Sequence, residues 1–347
     1  MSERKIRLDL TLKSQDAVNF ELEMQGKIVG QTPAVQAVAG MYKTVLAEME
    51  RSGQPVAIFL FLGPTGTGKT RIVEATSEII FRKPKAFIKV NCAEYQERHE
   101  VARLIGSPPG YIGHRETDPL ITQKRLEQFH TDDLKLNFVL FDEIEKASYA
   151  VWQLLLGILD KGELGLGDNK NLDFSRSVIF MTSNLGSAEM SRELIGGLGF
   201  TPGNRKASQQ RLESITIEEA KRTFSPEFMN RIDRIVVFNS LGEENLREIL
   251  EIELRRVKRR IPNRAGGGTF RFELTSEAKD FLLREGASAE YGARHLKRAI
   301  ERHLVVAFSS LIATGQVEGG DMLEIDVDES GSGLGFEKKV KSLSAGS

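Results

Sequence analysis

The sequence predicts an α/β protein built on a doubly wound, mostly parallel sheet, with a smaller α+β domain behind it. Three observations carry that prediction. Apolar runs of strand length, "PVAIFLFLG", "AFIKVN", "NFVLFDE" and "RSVIFMTSN", are continuous rather than alternating, as in strands covered on both faces. Amphipathic stretches over 34–51, 69–82 and 145–160 lie between them, so strand and helix patterns alternate along the chain. After a fifth run, "RIVVFNSLG", the pattern changes to a long charged helix, "EENLREILEIELRRVKRR", a Gly-rich turn, a short strand "FRFEL", two more helices and a closing strand "DMLEIDV".

These elements divide the chain into an N-terminal extension (1–22), a large α/β domain (23–240) and a small C-terminal α+β domain (241–328). The last stretch, 329–347, is small, polar and charged ("ESGSGLGFEKKVKSLSAGS"), and disorder is the expectation there.

At 347 residues with 40% hydrophobic and 28% charged residues, the chain has the balance of a globular protein with a full core. No stretch approaches the roughly 18 apolar residues of a membrane helix. The N-terminus lacks the apolar core of a secretory signal, and the single Cys92 cannot form an intrachain disulfide, so a reducing cytoplasm is expected. A net charge of −1 gives no argument for a polyanionic partner. The five histidines include no H-x-x-x-H pair and there is no G-x-S-x-G elbow, which weakens metalloprotease and serine-hydrolase readings.

The first element with chemistry is "GPTGTGKT", comprising Gly63, Pro64, Thr65, Gly66, Thr67, Gly68, Lys69 and Thr70. It follows an apolar strand and opens a helix, the context in which such a loop turns backbone N–H groups and a helix N-terminus toward phosphates. Lys69 is placed to reach the β and γ phosphates of ATP, and the Thr70 hydroxyl to help hold Mg²⁺. The third strand, "FVLFDEIEKA", carries Asp142 and Glu143 to the carboxyl edge of the sheet, where parallel sheets open their ligand crevice. Asp142 suits the metal shell and Glu143 the orientation of an attacking water. The fourth strand ends in "IFMTSN", so Thr182 and Asn184 reach the same edge; Asn184 either caps the following helix or bonds the water or γ phosphate, and spacing does not choose.

In this order, the phosphate loop, "GSPPGYIG", "LFDEIEKA", "MTSNLGS", "FSPEFMNRID" and "YGARHLKRAI" resemble the AAA+ module of the Clp and heat-shock unfoldases, in particular the second ATPase module of ClpA, ClpB and ClpC. The resemblance covers about residues 22–328. It implies a phosphate-loop NTPase fold with a C-terminal lid domain, ATP and Mg²⁺ as ligands, and a homo-oligomeric ring, expected to be a hexamer, that acts on polypeptide substrates. It implies that Arg231 in "NRID" is an arginine finger for the ATP of a neighbouring subunit, that Arg294 in "GAR" is a second phosphate sensor, and that Ile28–Gln31, with Val29, line the adenine pocket.

The resemblance also accounts for Tyr111. In "GSPPGYIGH" an aromatic stands among glycines and prolines; by itself this reads as a tyrosine packed under a turn, whereas the family places it in the ring's pore, gripping an extended chain. Ring side chains give contact area with few rotors to freeze. The loop continues "HRETDP", with His114 and Arg115 where the family has an aromatic and an acid, so substrate grip is expected to differ. The resemblance is to one ATPase module, and a single-ring machine at most is the expectation.

Two further readings concern partners. Leu198, Gly199 and Phe200 resemble the tripeptide by which protease-linked members dock on a ClpP-like peptidase, beside the alternative of an apolar loop tip on the subunit's own surface. "RRVKRR", residues 255–260, with Arg264 nearby, raises the alternative of an AAA+ switch or loader acting on a nucleic-acid or protein complex without threading. The glutamates of the same helix favour a solvated, salt-bridged face over a phosphate track.

Overall fold

A computed structural model describes residues 9, 12–106, 119–166, 170–187, 190, 205–261, 269–286 and 292–339. Tyr111, His114, Arg115, Leu198, Gly199, Phe200 and Arg264 lie outside the described residues. The chain divides into two compact units. The first takes in described residues up to Gly63 and those within Lys69–Glu189 and Gly199–Phe238; the second takes in those within Pro64–Gly68, Met190–Leu198 and Asn239–Ser347.

The first unit is a five-stranded parallel sheet. Its strands are β1 (Ala57–Leu62), β2 (Ile88–Asn91), β3 (Asn137–Asp142), β6 (Ser177–Ser183) and β7 (Arg234–Val237), in the order β2-β3-β6-β1-β7. β1 and β6 are buried at every position, which is why their sequences carry no period-two alternation. Aromatic rings knit neighbouring strands: Phe180 stacks on Phe59 at 5.4 Å and meets Phe138 edge-on at 5.5 Å. Helices α1 (Gln15–Gln25), α2 (Thr32–Leu46) and α3 (Lys69–Phe81) bury Phe20, Met24, Val35, Val38, Ile72 and Val73 in the core cluster that includes Phe59 and Phe180. One-turn helices α4 (Ala102–Ile105) and α5 (Gln123–Leu126) precede β3, and α6 (Tyr149–Lys161) follows it. A short antiparallel hairpin, β4 (Glu163–Gly165) with β5 (Asn171–Asp173), has three-residue strands too brief to leave a periodic signal.

Two helix boundaries differ from the pattern. The helix expected over 34–51 stops at Leu46, because Glu48 takes a left-handed φ of 52°. The one expected from 145 begins at Tyr149: Ile144–Lys146 form a 3₁₀ turn, and Ala147 is extended at ψ 147° before the N-cap, Ser148.

The second unit joins helices Glu243–Arg260, Ser276–Gly286, Ala293–Ile300 and Val306–Ala313 to a three-stranded sheet, β10-β9-β8. β8 (Arg271–Leu274) and β9 (Met322–Val327) are parallel; β10 (Leu334–Lys338) is antiparallel to β9. Leu250, Leu254, Phe272, Leu282, Leu296, Ile300 and Ile325 form its core. The disorder expected over 329–347 is corrected for 329–339. Residues 328–333 close a turn in which Asp328 accepts from Ser330 Oγ at 2.8 Å and Ser332 N at 3.1 Å, and β10 then returns Leu334 and Phe336 to the core, with Phe336 5.8 Å from Phe308. Composition missed this because Ser, Gly and Asp mark tight turns as well as linkers. Among the described residues no helix is long and apolar enough to cross a membrane.

Candidate active site

The connection after β1 runs leftward over β6 and β3, whereas the one after β6 runs rightward over β1, so the topological switch lies between the carboxyl ends of β1 and β6. The first unit brings the sequence-predicted residues to that place. Lys69 opens α3 and is buried; its Nζ donates to Gly63 O and, at 3.0 Å, to Asn184 Oδ1. Asn184 therefore lies at the site itself, with its backbone N bonded to Glu145 Oε1 at 3.1 Å and its Nδ2 donating to Glu143 Oε1 at 3.2 Å. Gly63 is required by shape: its φ is +129°, and a Cβ there would lie 2.4 Å from Phe238 O.

Asp142 ends β3. Its Oδ1 accepts from Thr182 Oγ1 at 2.5 Å and Thr70 Oγ1 at 3.5 Å, and its Oδ2 faces Lys89 Nζ at 2.6 Å. Burial opposes its ionisation, but the hydrogen bonds from Lys89 and Thr182 and the charges of Lys89 and Lys69 outweigh burial and hold the carboxyl below the usual aspartate value. An ionised carboxylate beside a threonine hydroxyl at a glycine-shaped loop is a donor set that fits Mg²⁺, which takes few protein ligands and completes its shell from phosphate and water.

Glu143 sits at φ +58°, a left-handed conformation that is strained for a residue with a Cβ. Three contacts hold it: Glu143 N donates to Thr182 Oγ1 at 3.1 Å, Oε1 accepts from Asn184, and Oε2 meets Lys146 Nζ at 2.6 Å. The hydrogen bond to Glu143 raises the Lys146 ammonium above its ordinary value. Thr182 thus uses one hydroxyl twice, donating to Asp142 and accepting from the backbone of Glu143, and so fixes the two carboxylates relative to each other. Sequence reasoning placed Thr182 at the sheet edge without a role; Lys89 and Lys146 were missed, although Lys146 stands three residues from Glu143 on one turn. Cys92 is chemically quiet: burial first, then the charges of Asp142, Glu145 and Glu143, push its thiol up. A cleft lined by Lys89, Asn91, Tyr95, Arg103, Asp142 and Glu143, of about 620 Å³, opens beside the carboxylates.

Other predicted residues lie elsewhere. Ile28 and Val29 are buried, Ile28 in the core beside α1 and α2. Arg231 follows the short helix Pro226–Asn230 and precedes β7, at the amino end of the sheet, where its Nη1 meets Asp160 Oδ1 at 2.8 Å. In the second unit, Thr67 Oγ1 donates to Pro64 O at 2.8 Å, Ala293 N donates to Gly66 O at 3.2 Å, and Arg294 lies in the first turn of Ala293–Ile300. The basic run of Glu243–Arg260 is largely engaged: Arg256 pairs with Glu253 at 2.6 Å, Arg260 with Glu301, and Lys258 lies 5.1 Å over the Phe272 ring.

Residues 54–235 match the family model described as AAA domain (Cdc48 subfamily), and residues 241–325 match that of the C-terminal, D2-small domain of ClpB protein. The chain is 36% identical over 320 residues to an ATP-dependent Clp protease ATP-binding subunit ClpA homolog of Cyanidium caldarium, covering 92% of this chain and 36% of that protein. It is 34% identical over 314 residues to the chaperone protein ClpB of Oceanobacillus iheyensis, covering 90% and 37%. Among solved structures, the S. cerevisiae Hsp104:casein complex in its extended conformation aligns with a TM-score of 0.78 at 28% identity, covering 94% of this chain and 53% of that one. The chain thus spans little more than a third of the length of these curated relatives.

Proposed function

The chain belongs to the AAA family, in the branch shared with ClpA and ClpB, and on that premise we propose that it is a Mg²⁺-dependent ATPase whose rings pull on polypeptide substrates. The observation that carries the proposal is the convergence of Lys69, Asp142, Glu143 and Asn184 at the switch between β1 and β6.

In this reading the loop Gly63–Thr70 holds the phosphates, with Lys69 on the β and γ groups. Thr70 and Asp142 hold Mg²⁺, which when bound draws charge from the transferring phosphoryl group. Glu143 orients the attacking water, and Asn184, bonded to both Glu143 and Lys69, ties the base to the phosphate-binding lysine. Val29 and its neighbours line the base pocket, and Arg294 answers to the phosphates from the small domain. Arg231 stabilises the transferring phosphoryl group of the next subunit in trans, which makes hydrolysis depend on a homo-oligomeric ring, a hexamer by family. Its position supports this: it sits at the end of the sheet opposite Lys69 and Thr70. The work takes place where ATP is supplied, in the cytoplasm.

Tyr111 is proposed as the pore contact with substrate, and Leu198, Gly199 and Phe200 as a docking loop for a ClpP-like peptidase. The ion pairs of Glu243–Arg260 give a nucleic-acid role no support. ATP-dependent loss of fluorescence from a tagged, irreversibly unfoldable substrate, read for the unaltered protein and Tyr111→Ala at matched ATPase rates, tests threading. Failure of the mutant alone supports it; hydrolysis without unfolding by either protein favours a switch-like AAA+ ATPase.

A further inference from the structure

We infer that Asp160 is a positioning residue for Arg231, presenting its guanidinium to the nucleotide of a second copy of this chain; the inference rests on the reading of Arg231 as a finger acting in trans. Asp160 lies in the last turn of α6, where a negative charge opposes the helix dipole, so helix stability does not explain it. What it meets is Arg231, Nη1 to Oδ1 at 2.8 Å, with side chains 39% and 35% exposed.

Both partners stand on fixed backbone. Asp160 follows the buried Ile158 and Leu159, and its own carbonyl accepts from Gln54 Nε2 at 3.1 Å. On the other side, Arg231 N bonds Phe228 O at 3.1 Å. Two residues on, Asp233 locks to β1: its N donates to Ile58 O at 3.0 Å, and its Oδ2 accepts from Ile58 N at 2.8 Å and Arg51 Nη2 at 2.6 Å. The freedom left to Arg231 is therefore its long side chain, and Asp160 restrains it. Because Asp160 Oδ1 meets Nη1 of a five-donor fork and one carboxylate cannot engage all five donors, the guanidinium keeps donors for a phosphoryl group while losing rotamers it would otherwise have to freeze. A charge held part-exposed on rigid elements is ready to meet a neighbour, and a small loss of placement at such a group is costly in rate.

The test uses whole rings of the full chain. Asp160→Asn should lower kcat at saturating ATP by roughly tenfold, with the KM for ATP within about twofold of the unaltered protein and ring size by light scattering unchanged; Asp160→Glu should recover most of the rate. The defect should also be mendable by a neighbour. Mixed with excess Glu143→Gln subunits, which have intact fingers and silent sites, Asp160→Asn subunits should turn over ATP as fast as unaltered subunits diluted the same way. A merely structural defect would stay with the subunit that carries it. The inference is overturned if Asp160→Asn hydrolyses ATP at the unaltered rate, or if mixing relieves Arg231→Ala but not Asp160→Asn. If mixing relieves neither, the finger reading itself fails, and the inference with it.

Discussion

Arg231 and Lys69 stand at opposite ends of one sheet. β7 pairs with β1 in parallel, Arg234 beside Phe59, so Arg231 lies level with the start of β1, whereas Lys69 follows its end. A six-residue strand is about 20 Å long, which is beyond the reach of an arginine side chain. Arg231 and Lys69 of one chain are thus too far apart to meet at a single phosphate group, which is what the proposed action of Arg231 on a second copy's nucleotide requires.

Gly63 has no tolerance for a side chain. Gly63→Ala places a Cβ 2.4 Å from the Phe238 carbonyl at a φ of +129°. The expected result is a loss of more than about 1 kcal/mol in stability together with weakened binding of a fluorescent ATP analogue. Titration and thermal melts measure both; wild-type values in both would show that the loop reshapes freely.

Thr182→Val keeps shape while removing the hydroxyl that serves both carboxylates. ATP affinity should be nearly unchanged and kcat should fall roughly ten- to hundredfold, since the loss affects placement of Glu143 and Asp142 rather than of the phosphates. Thr182→Ser should recover most of the rate. Equal falls in affinity and kcat would place Thr182 in ground-state binding instead.

Glu143→Gln should bind ATP and assemble while hydrolysing at least about a hundredfold more slowly, because the amide cannot take a proton from water. Asn184 can still bond the amide oxygen, so the site should keep its form. Near-normal turnover in single-turnover kinetics would show that another group is the base.

Phe336→Ala tests the C-terminal hairpin. Phe336 is half-buried against Phe308, and its removal should cost about 1–3 kcal/mol of small-domain stability in urea titrations. An unchanged midpoint would mean that β10 contributes little to the core.

Glu78 gives a pH signature. Burial alone would raise its pKa, but the hydrogen bond and charge of Lys27, at 2.8 Å, and those of Arg71 leave it lowered. A carboxyl lowered on folding stabilises the native state above its unfolded pKa of about 4.3, and that contribution disappears as pH falls through the folded value. The stability difference between the unaltered protein and Glu78→Gln should be level from about pH 8 to 5 and shrink below about pH 4. A difference that grew on acidification would contradict the sign.

The sheet, the order of its chemical residues and the presence of a smaller second unit are legible in the amino-acid pattern alone. Continuous apolar strands can only be buried on both faces, and "GPTGTGKT", "LFDE" and "TSN" each sit where a strand must end. What only the folded chain shows is Asn184 bonded to both Lys69 and Glu143, the double role of Thr182, and Lys89 on Asp142, since each of these depends on which strand ends become neighbours. The pairing of Arg231 with Asp160 crosses 71 positions of chain (231 − 160), and β10 hides behind turn residues that read as a linker. Local pattern records what a residue buries; partners distant in sequence are set by topology, and no periodicity encodes them.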